Sequence, residues 1–150
     1  MKEYSTKYFA VLLAAVCLAS CAPKTRILST NTAPQRTDGQ AFILTEISQD
    51  KTYGYSEKNP VNVGGVDKRE GPVNERRFLN ALAGPNGESI TYQRMGSCCP
   101  FKTPNGISGG GLLDKYKIMW EGQTNEVFLY INMYDYGKLK CPVGLTIKSN

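Results

Sequence analysis

The chain contains no histidine among its 150 residues. This absence excludes a Ser-His-Asp triad, a Cys-His pair and every histidine-ligated zinc site. The length excludes a TIM barrel, which needs roughly 200 residues or more. The chain has 18 Lys+Arg against 13 Asp+Glu but no run of five basic residues, so nucleic acid is not expected as a partner. Composition and length therefore predict one globular domain and offer no ready-made catalytic set.

The N-terminus has the pattern of a secretory signal peptide. Lys2 and Lys7 precede an apolar run over residues 8–18, which is roughly half the length that a membrane-spanning helix needs. Leu-Ala-Ser-Cys at 18–21 resembles the lipobox of bacterial lipoproteins, in which the cysteine at the cleavage site is acylated. We predict a signal peptide over 1–20 and a Cys21 that carries acyl chains such as palmitate and binds the membrane through them. An ordinary signal peptide with an incidental cysteine is the alternative.

The residues after Cys21 predict where the anchored protein is located. Residue 22 is alanine rather than the aspartate of the inner-membrane retention signal, and residues 22–26 contain none of the acidic residues of the surface-export signal of Bacteroidota lipoproteins. We therefore expect a lipid-anchored protein of the cell envelope, on the periplasmic face of the outer membrane. Residues 21–40 are polar, contain proline and lack periodicity, which predicts a flexible tether before a globular domain over 41–150.

Alternation of apolar and polar residues predicts mainly strands, at 41–48, 61–66, 89–95, 113–121, 127–136 and 143–147. The segment 127–136 is apolar on both faces, as is typical of a central strand. One helix is expected over 74–83, with Asn74 as its N-cap and Gly84-Pro85 after its end. The Gly-rich stretch 106–111 lacks the Gly-Lys-Ser/Thr of a phosphate-binding loop and is expected to connect two strands. The predicted fold class is α+β, a mainly antiparallel sheet with one short helix in a single small domain.

The cysteines offer several alternatives. Removal of Cys17 and lipidation of Cys21 leave Cys98, Cys99 and Cys141. In an oxidising envelope we expect a disulfide from Cys98 or Cys99 to Cys141, with one thiol left over. Unlinked thiols packed as small apolar groups, a disulfide between the neighbouring Cys98 and Cys99, and a reactive thiol are the alternatives. Three cysteines without a fourth ligand do not predict a metal site, and no cofactor is expected.

Aromatic side chains are dense in the predicted hairpin of 113–121 and 127–136. They could form a platform for sugar rings or for a partner peptide, although aromatics that face one another across strands more often pack within the sheet. The carboxylates beside them would need an opposed pair at a fixed separation to act as a glycosidase. The candidate binding residues are Asp114, Tyr116, Trp120, Tyr130, Tyr134 and Tyr136.

Several segments of the chain together resemble a family of small envelope lipoproteins of Bacteroidota whose function is not established. The segments are 53–61 with 63–65, 76–82 with 84–88, Gly-Ser-Cys-Cys-Pro-Phe at 96–101, Leu-Leu-Asp at 112–114, and Leu-Tyr-Ile-Asn-Met-Tyr-Asp at 129–135 with 142–144. Members of the family are often labelled 2-dehydro-3-deoxyphosphooctonate aldolase. That aldolase is a barrel larger than this chain can form, so the resemblance implies an envelope lipoprotein and not that activity.

The favoured hypothesis is a lipid-anchored binding or structural module for another envelope protein or for a cell-wall component. One alternative is a small envelope enzyme that uses Cys98 and Cys99, or the carboxylates Asp114 and Asp135. A second alternative is an accessory lipoprotein of a secretion or transport machine. The chain offers a clear anchor and tether but no recognisable catalytic constellation, so an enzyme is not favoured.

Overall fold

A computed structural model describes residues 35–149 and confirms an α+β fold, a mainly antiparallel sheet with one helix in one small domain. The predicted signal peptide, Cys21 and most of the tether lie outside these residues. Within 35–149, no helix is both long and apolar enough to cross a membrane. A short 3-10 helix at Val66–Lys68 precedes the α-helix. The main elements are β1 (Val61–Asn62), α1 (Gly71–Asn80), β2 (Leu82–Ala83), β3 (Ile90–Ile107), β4 (Gly110–Trp120), β5 (Val127–Asn132) and β6 (Thr146–Ile147).

The four-stranded sheet has the order β1-β5-β4-β3, and β2 pairs with β6 in a separate antiparallel ribbon. The pairs β3–β4 and β4–β5 are antiparallel, as predicted, whereas the short β1 runs parallel to β5. The segment 127–136 was predicted to hold a central strand, and β5 does lie between β1 and β4. A two-residue turn connects β3 and β4, with φ of +54° at Ser108 and +77° at Gly109. Such left-handed turns match the twist of a hairpin, so the Gly-rich stretch connects two strands as expected.

The core lies between α1 and one side of the sheet, which we call the inner face. Tyr116 and Ile118 of β4 and Leu129 of β5 point toward this face, where they pack with Phe78 and Leu79 of α1. Side chains alternate along a strand, so the neighbours of these residues belong to the opposite, outer face. The outer face carries Leu113, Lys115, Lys117, Phe128, Tyr130 and Asn132.

The helix begins earlier than predicted. It spans Gly71–Asn80 and has a proline in its first turn, where the missing N–H costs nothing. Asn74 is therefore inside the helix and is not its N-cap. Its buried side-chain amide donates instead to the carbonyl of Gly64 at 3.2 Å, which joins the helix to the chain that follows β1. The helix ends at Asn80 rather than at 83, because Leu82 and Ala83 pair with β6.

The N-terminal part of the domain also differs from the prediction. Residues 41–48 make isolated bridges at Phe42 and Ile47 but form no strand, although the predicted alternation is present because Phe42 and Leu44 are buried. Packing contacts begin before residue 41: the side chain of Gln35 donates to the carbonyl of Gly137 at 3.1 Å. The folded domain of the described chain thus includes residues that the composition assigned to the tether.

β3 is much longer than the predicted 89–95, and its pairing with β4 is irregular. The register between the two strands shifts between Arg94 and Gly96, between Cys98 and Pro100, and between Lys102 and Ile107. Each shift leaves residues of β3 without a partner on β4, which defines a β-bulge or irregularity. These interruptions change the direction of β3 side chains over the outer face.

Candidate functional site

A concave surface lined by both apolar and polar side chains lies on the outer face, and we call it the outer groove. It has a volume of about 640 Å³. Its floor comes from the sheet, and its two walls come from the middle of β3, at its second register shift, and from a turn before β1. Segments that are far apart in sequence therefore meet here. The lining residues are Glu57, Lys58, Pro60, Asn62, Cys99, Pro100, Phe101, Leu113, Asn132 and Asp135.

A polar network is built into the floor of the outer groove around Asn132. The amide nitrogen of Asn132 donates to Asp135 Oδ2 at 2.9 Å and to Asn62 Oδ1 at 3.0 Å. Its amide oxygen accepts from the backbone N–H groups of Tyr134, at 2.8 Å, and of Asp135. Asn132 is only 3% exposed, so this satisfied amide fixes both neighbouring side chains in place.

Asp135 connects β3 to β5 in this network, because it accepts hydrogen bonds from residues of both. Its Oδ1 accepts from the hydroxyl of Thr103 at 2.6 Å and from the amide of Asn105 at 2.8 Å, while Oδ2 accepts from Asn132. Both carboxylate oxygens are thus engaged by donors that hold the irregular end of β3 against the end of β5. This arrangement suits a structural carboxylate better than a general base, which must be free to accept a proton from a substrate.

The two walls of the outer groove are held by packing and by hydrogen bonds. Phe101 packs edge-to-face with Tyr134, with ring centroids 5.9 Å apart, directly above Gly111. A Cβ at Gly111 would lie 2.9 Å from the Tyr134 ring, so glycine is needed for this approach. In the opposite wall, the amide of Asn59 donates to Asp50 Oδ2 at 2.9 Å and fixes the turn that carries Glu57 and Lys58. The groove is therefore pre-formed rather than closed by a loose loop.

The predicted aromatic residues do not form one platform. Tyr116 and Trp120 pack on the inner face. Tyr130 lies on the outer face beneath the ammonium of Lys115, which is 5.6 Å from its ring centroid and 4.2 Å from that of Phe128. Tyr134 supports the groove wall. Tyr136 packs over Gly64 and donates to Asp67 Oδ1 at 2.8 Å.

Asp114 belongs to a polar cluster that starts at the edge of the sheet and ends in the core. Arg94 binds it through two hydrogen bonds, from Nε to Oδ2 at 2.7 Å and from Nη2 to Oδ1 at 2.8 Å, and Ser97 donates to Oδ1 at 2.7 Å. Burial alone raises the pKa of Asp114, but the hydrogen bonds from Arg94 and Ser97 outweigh it and lower the pKa below 3.8. Asp114 is therefore ionised at neutral pH.

Glu75 completes this cluster from the helix side. It is fully buried, and its Oε2 accepts from the Tyr116 hydroxyl at 2.8 Å. Burial, reinforced by the negative charge of Asp114, raises the pKa of Glu75 to about 8. Its Oε1 finds no donor among the described residues, as expected for a carboxyl group that is kept neutral beside the charge of Asp114. No sequence pattern predicts the burial of Glu75, since a glutamate near a helix start is usually exposed.

The carboxylates that sequence reasoning paired for catalysis are not brought together. Asp114 points to the inner face with Tyr116, whereas Asp135 bonds to Asn132 on the outer face. The sheet therefore separates them, and neither could act on the same bond as the other. Within residues 35–149, no group of three or more histidine, cysteine or acidic side chains is arranged to hold a metal ion.

The disulfide expected between Cys141 and Cys98 or Cys99 is not present, because all three are free thiols. Cys141 is buried in the core, and burial raises its pKa to about 11, so it behaves as the small apolar residue considered as an alternative. Cys98 and Cys99 lie on β3 and are partly exposed. Cys99 lines the outer groove.

Comparisons with protein-family models, with curated proteins and with solved structures find no match for this chain. Of the residues in the outer groove, sequence reasoning had singled out Cys99 and Asp135 but had missed Asn132, Asn62 and Glu57. The one local signal was Asn132, a polar residue that ends an otherwise apolar run in β5.

Proposed function

We propose that this chain is a lipid-anchored lipoprotein of the cell envelope that binds its partner in the outer groove. The observation that carries this proposal is the groove itself, a pre-formed concave surface whose floor and walls come from distant segments. Binding sites are typically concave, largely pre-formed and lined by apolar groups with a few fixed polar ones. Leu113, Phe101 and Pro100 supply the apolar part here, and Asn62, Asn132 and Asp135 supply the fixed polar part.

The segments that resemble the envelope-lipoprotein family give a second line of support. Four of them contribute to the groove: 53–61 through Glu57 and Lys58, 96–101 through Cys99 to Phe101, 112–114 through Leu113, and 129–135 through Asn132 and Asp135. At least ten residues separate each of these segments from the next, so their convergence follows from the fold. A shared sequence pattern that collects at one concave surface favours a binding role for that surface.

The partner is another envelope protein or a cell-wall component, and one crosslinking experiment distinguishes these outcomes. A photo-crosslinking amino acid at Lys58, in the groove wall, is activated in intact cells. We expect a heavier species that mass spectrometry identifies as a protein or a glycan adduct. The matched control places the same amino acid at Lys51, an exposed lysine outside the groove lining. Equal products at both positions, or none at Lys58, would contradict the proposal.

The anchor is tested separately. Cys21→Ser removes the sulfur that would carry the lipid, so the protein should lose incorporation of labelled palmitate. Cys17→Ser, which changes a cysteine inside the predicted signal peptide, is the matched control and should keep that incorporation. Undiminished labelling of the Cys21→Ser protein would refute lipid anchoring at this position.

A further inference from the structure

The neighbouring cysteines Cys98 and Cys99 are arranged in a way that a regular strand does not allow. Successive side chains of a strand point to opposite faces, which keeps adjacent thiols apart. Here Cys98 pairs with Leu113 while Cys99 is skipped by the register, and the backbone at Cys99 has a φ of +57°. The bulge removes the alternation, so Cys98, opposite Leu113, and Cys99, in the lining of the outer groove, both lie on the outer face.

The backbone conformation at Cys99 is unusual within this molecule. Among residues 35–149, only three non-glycine residues have a positive φ. Arg69 ends the 3-10 helix and Ser108 lies in the hairpin turn, so both have the ordinary reason for such a value. Cys99 alone has it inside a strand. A left-handed conformation is unfavourable for a residue with a Cβ, and such strain within a regular element often marks a functional position.

Both thiols of the pair can be reached from solvent, and one of them lies beside a carboxylate. Both residues are partly exposed, and Cys99 faces Glu57 across the outer groove. The neighbouring Cys98 thiol, followed by burial and the Glu57 carboxylate, raises the pKa of the Cys99 thiol. Cys99 therefore keeps its proton at neutral pH, with Cys98 and Glu57 as its neighbours. Cys141, by contrast, is fully buried.

We propose that Cys98 and Cys99 are a thiol–disulfide exchange site that reacts with disulfide-bearing molecules of the envelope. The Cys98 sulfur, as thiolate, attacks an external disulfide, forms a mixed disulfide and releases the first external thiolate, which takes up the proton that Cys98 lost. The Cys99 sulfur then attacks the Cys98 sulfur and releases the second external thiol, which takes the Cys99 proton. The external disulfide is reduced to two thiols, and the cysteine pair is oxidised to a ring that contains the Cys98–Cys99 peptide bond.

This site does not depend on which partner occupies the outer groove, although closure of the ring would alter the groove wall at Cys99. The placement of adjacent thiols on one face favours intramolecular closure over a stable mixed disulfide, since the second sulfur belongs to the next residue. Exchange would therefore yield an oxidised pair with no external group attached. That product differs in mass from a mixed disulfide and from a peptide with two free thiols.

The test uses the full chain purified from membranes, reduced, freed of reductant and incubated with oxidised glutathione. After remaining thiols are alkylated, mass spectrometry is applied to the peptide that contains Cys98 and Cys99. We expect this peptide to lose two hydrogen atoms and to carry neither glutathione nor alkyl groups. In Cys99→Ser, where closure is impossible, Cys98 should instead retain one glutathione.

Cys141→Ser is the matched control, because it removes a buried thiol and should leave the reaction of the pair unchanged. The proposal is overturned if native wild-type protein accumulates glutathione on Cys98 or Cys99 without the loss of two hydrogens. It is overturned equally if both thiols remain available to the alkylating reagent after incubation. The wild-type measurement alone decides these outcomes, so the result does not depend on how well either variant folds.

Discussion

Replacing Glu75 with glutamine tests the buried carboxyl cluster most directly. Glutamine has the shape of the neutral acid: its oxygen can accept from the Tyr116 hydroxyl, and its amide can donate to Asp114. It differs in having no proton to lose when the chain unfolds. The substitution therefore removes the titration and keeps the contacts.

The size of the effect follows from the pKa of Glu75, which rises from 4.5 to about 8 on folding. Between these values the folded protein holds a proton that the unfolded chain releases, so the contribution of Glu75 to stability is greatest below pH 4.5 and falls as pH rises toward 8. At pH 7 this costs about 3 kcal/mol, from roughly 1.4 kcal/mol per pH unit. Glu75→Gln should be more stable than wild type at pH 7 by up to that amount. The free energies of unfolding of the two proteins should become equal near pH 4.5.

The assay is urea unfolding of the unlipidated Cys21→Ser protein between pH 5 and 8, followed by the fluorescence of Trp120, the single tryptophan. The chain has no histidine, so few other groups titrate in this range. Asp114 has a lowered pKa, and its contribution is lost only in acid below this range. Glu121→Gln, at an exposed position, is the matched control and should keep the wild-type slope. A flat wild-type profile, or the same slope in Glu75→Gln, would refute the reasoning.

Two further substitutions test the packing around the sheet. Gly64→Ala should destabilise the protein by about 1–3 kcal/mol, because the residue has a φ of +62° and its new Cβ would collide with the Tyr136 ring. Gly87→Ala, with a φ of +88° but no atom within 4 Å of the added Cβ, should cost less in the same urea titration, and equal losses would argue against the collision. Asn132→Ala should lower the free energy of unfolding by about 1–3 kcal/mol, because Asp135 loses a buried hydrogen-bond donor. It should also reduce crosslinking at Lys58 in the groove wall. Unchanged crosslinking in a folded Asn132→Ala protein would show that the hydrogen bonds of Asn132 are not needed for partner binding.

Strands with one buried face and one solvent-exposed face were the part of the fold that the sequence could predict. β4 alternates strongly, with Tyr116 and Ile118 inward and Lys115 and Lys117 outward, so its burial could be predicted from the pattern. β1 has only two residues, too few for a pattern, and its parallel pairing with β5 depends on contacts distant in sequence. The helix start was misplaced because Asn74 has the properties of an N-cap but is used in the core as a donor to Gly64.

The site was harder to predict, because its geometry depends on departures from regular structure. Alternation along a strand would place Cys98 and Cys99 on opposite faces, and only the bulge in β3 brings their thiols together. Asp114 and Asp135 look like partners in a hairpin until the register places them on opposite sides of the sheet. Glu75 takes its character from burial and from Asp114, which is 39 positions away in the chain.

The irregular pairing of β3 has a consequence for how molecules of this chain meet one another. β3 has 18 residues and forms one edge of the sheet, and a flat edge of that length would present a continuous row of N–H and C=O groups to a second molecule. Its register shifts break the repeat that strand-to-strand growth requires, and the charge of Arg94 sits at the first of them. Such an edge resists strand-to-strand polymerisation. This resistance would matter most if the chain is held at a membrane as proposed, where molecules confined to two dimensions collide often.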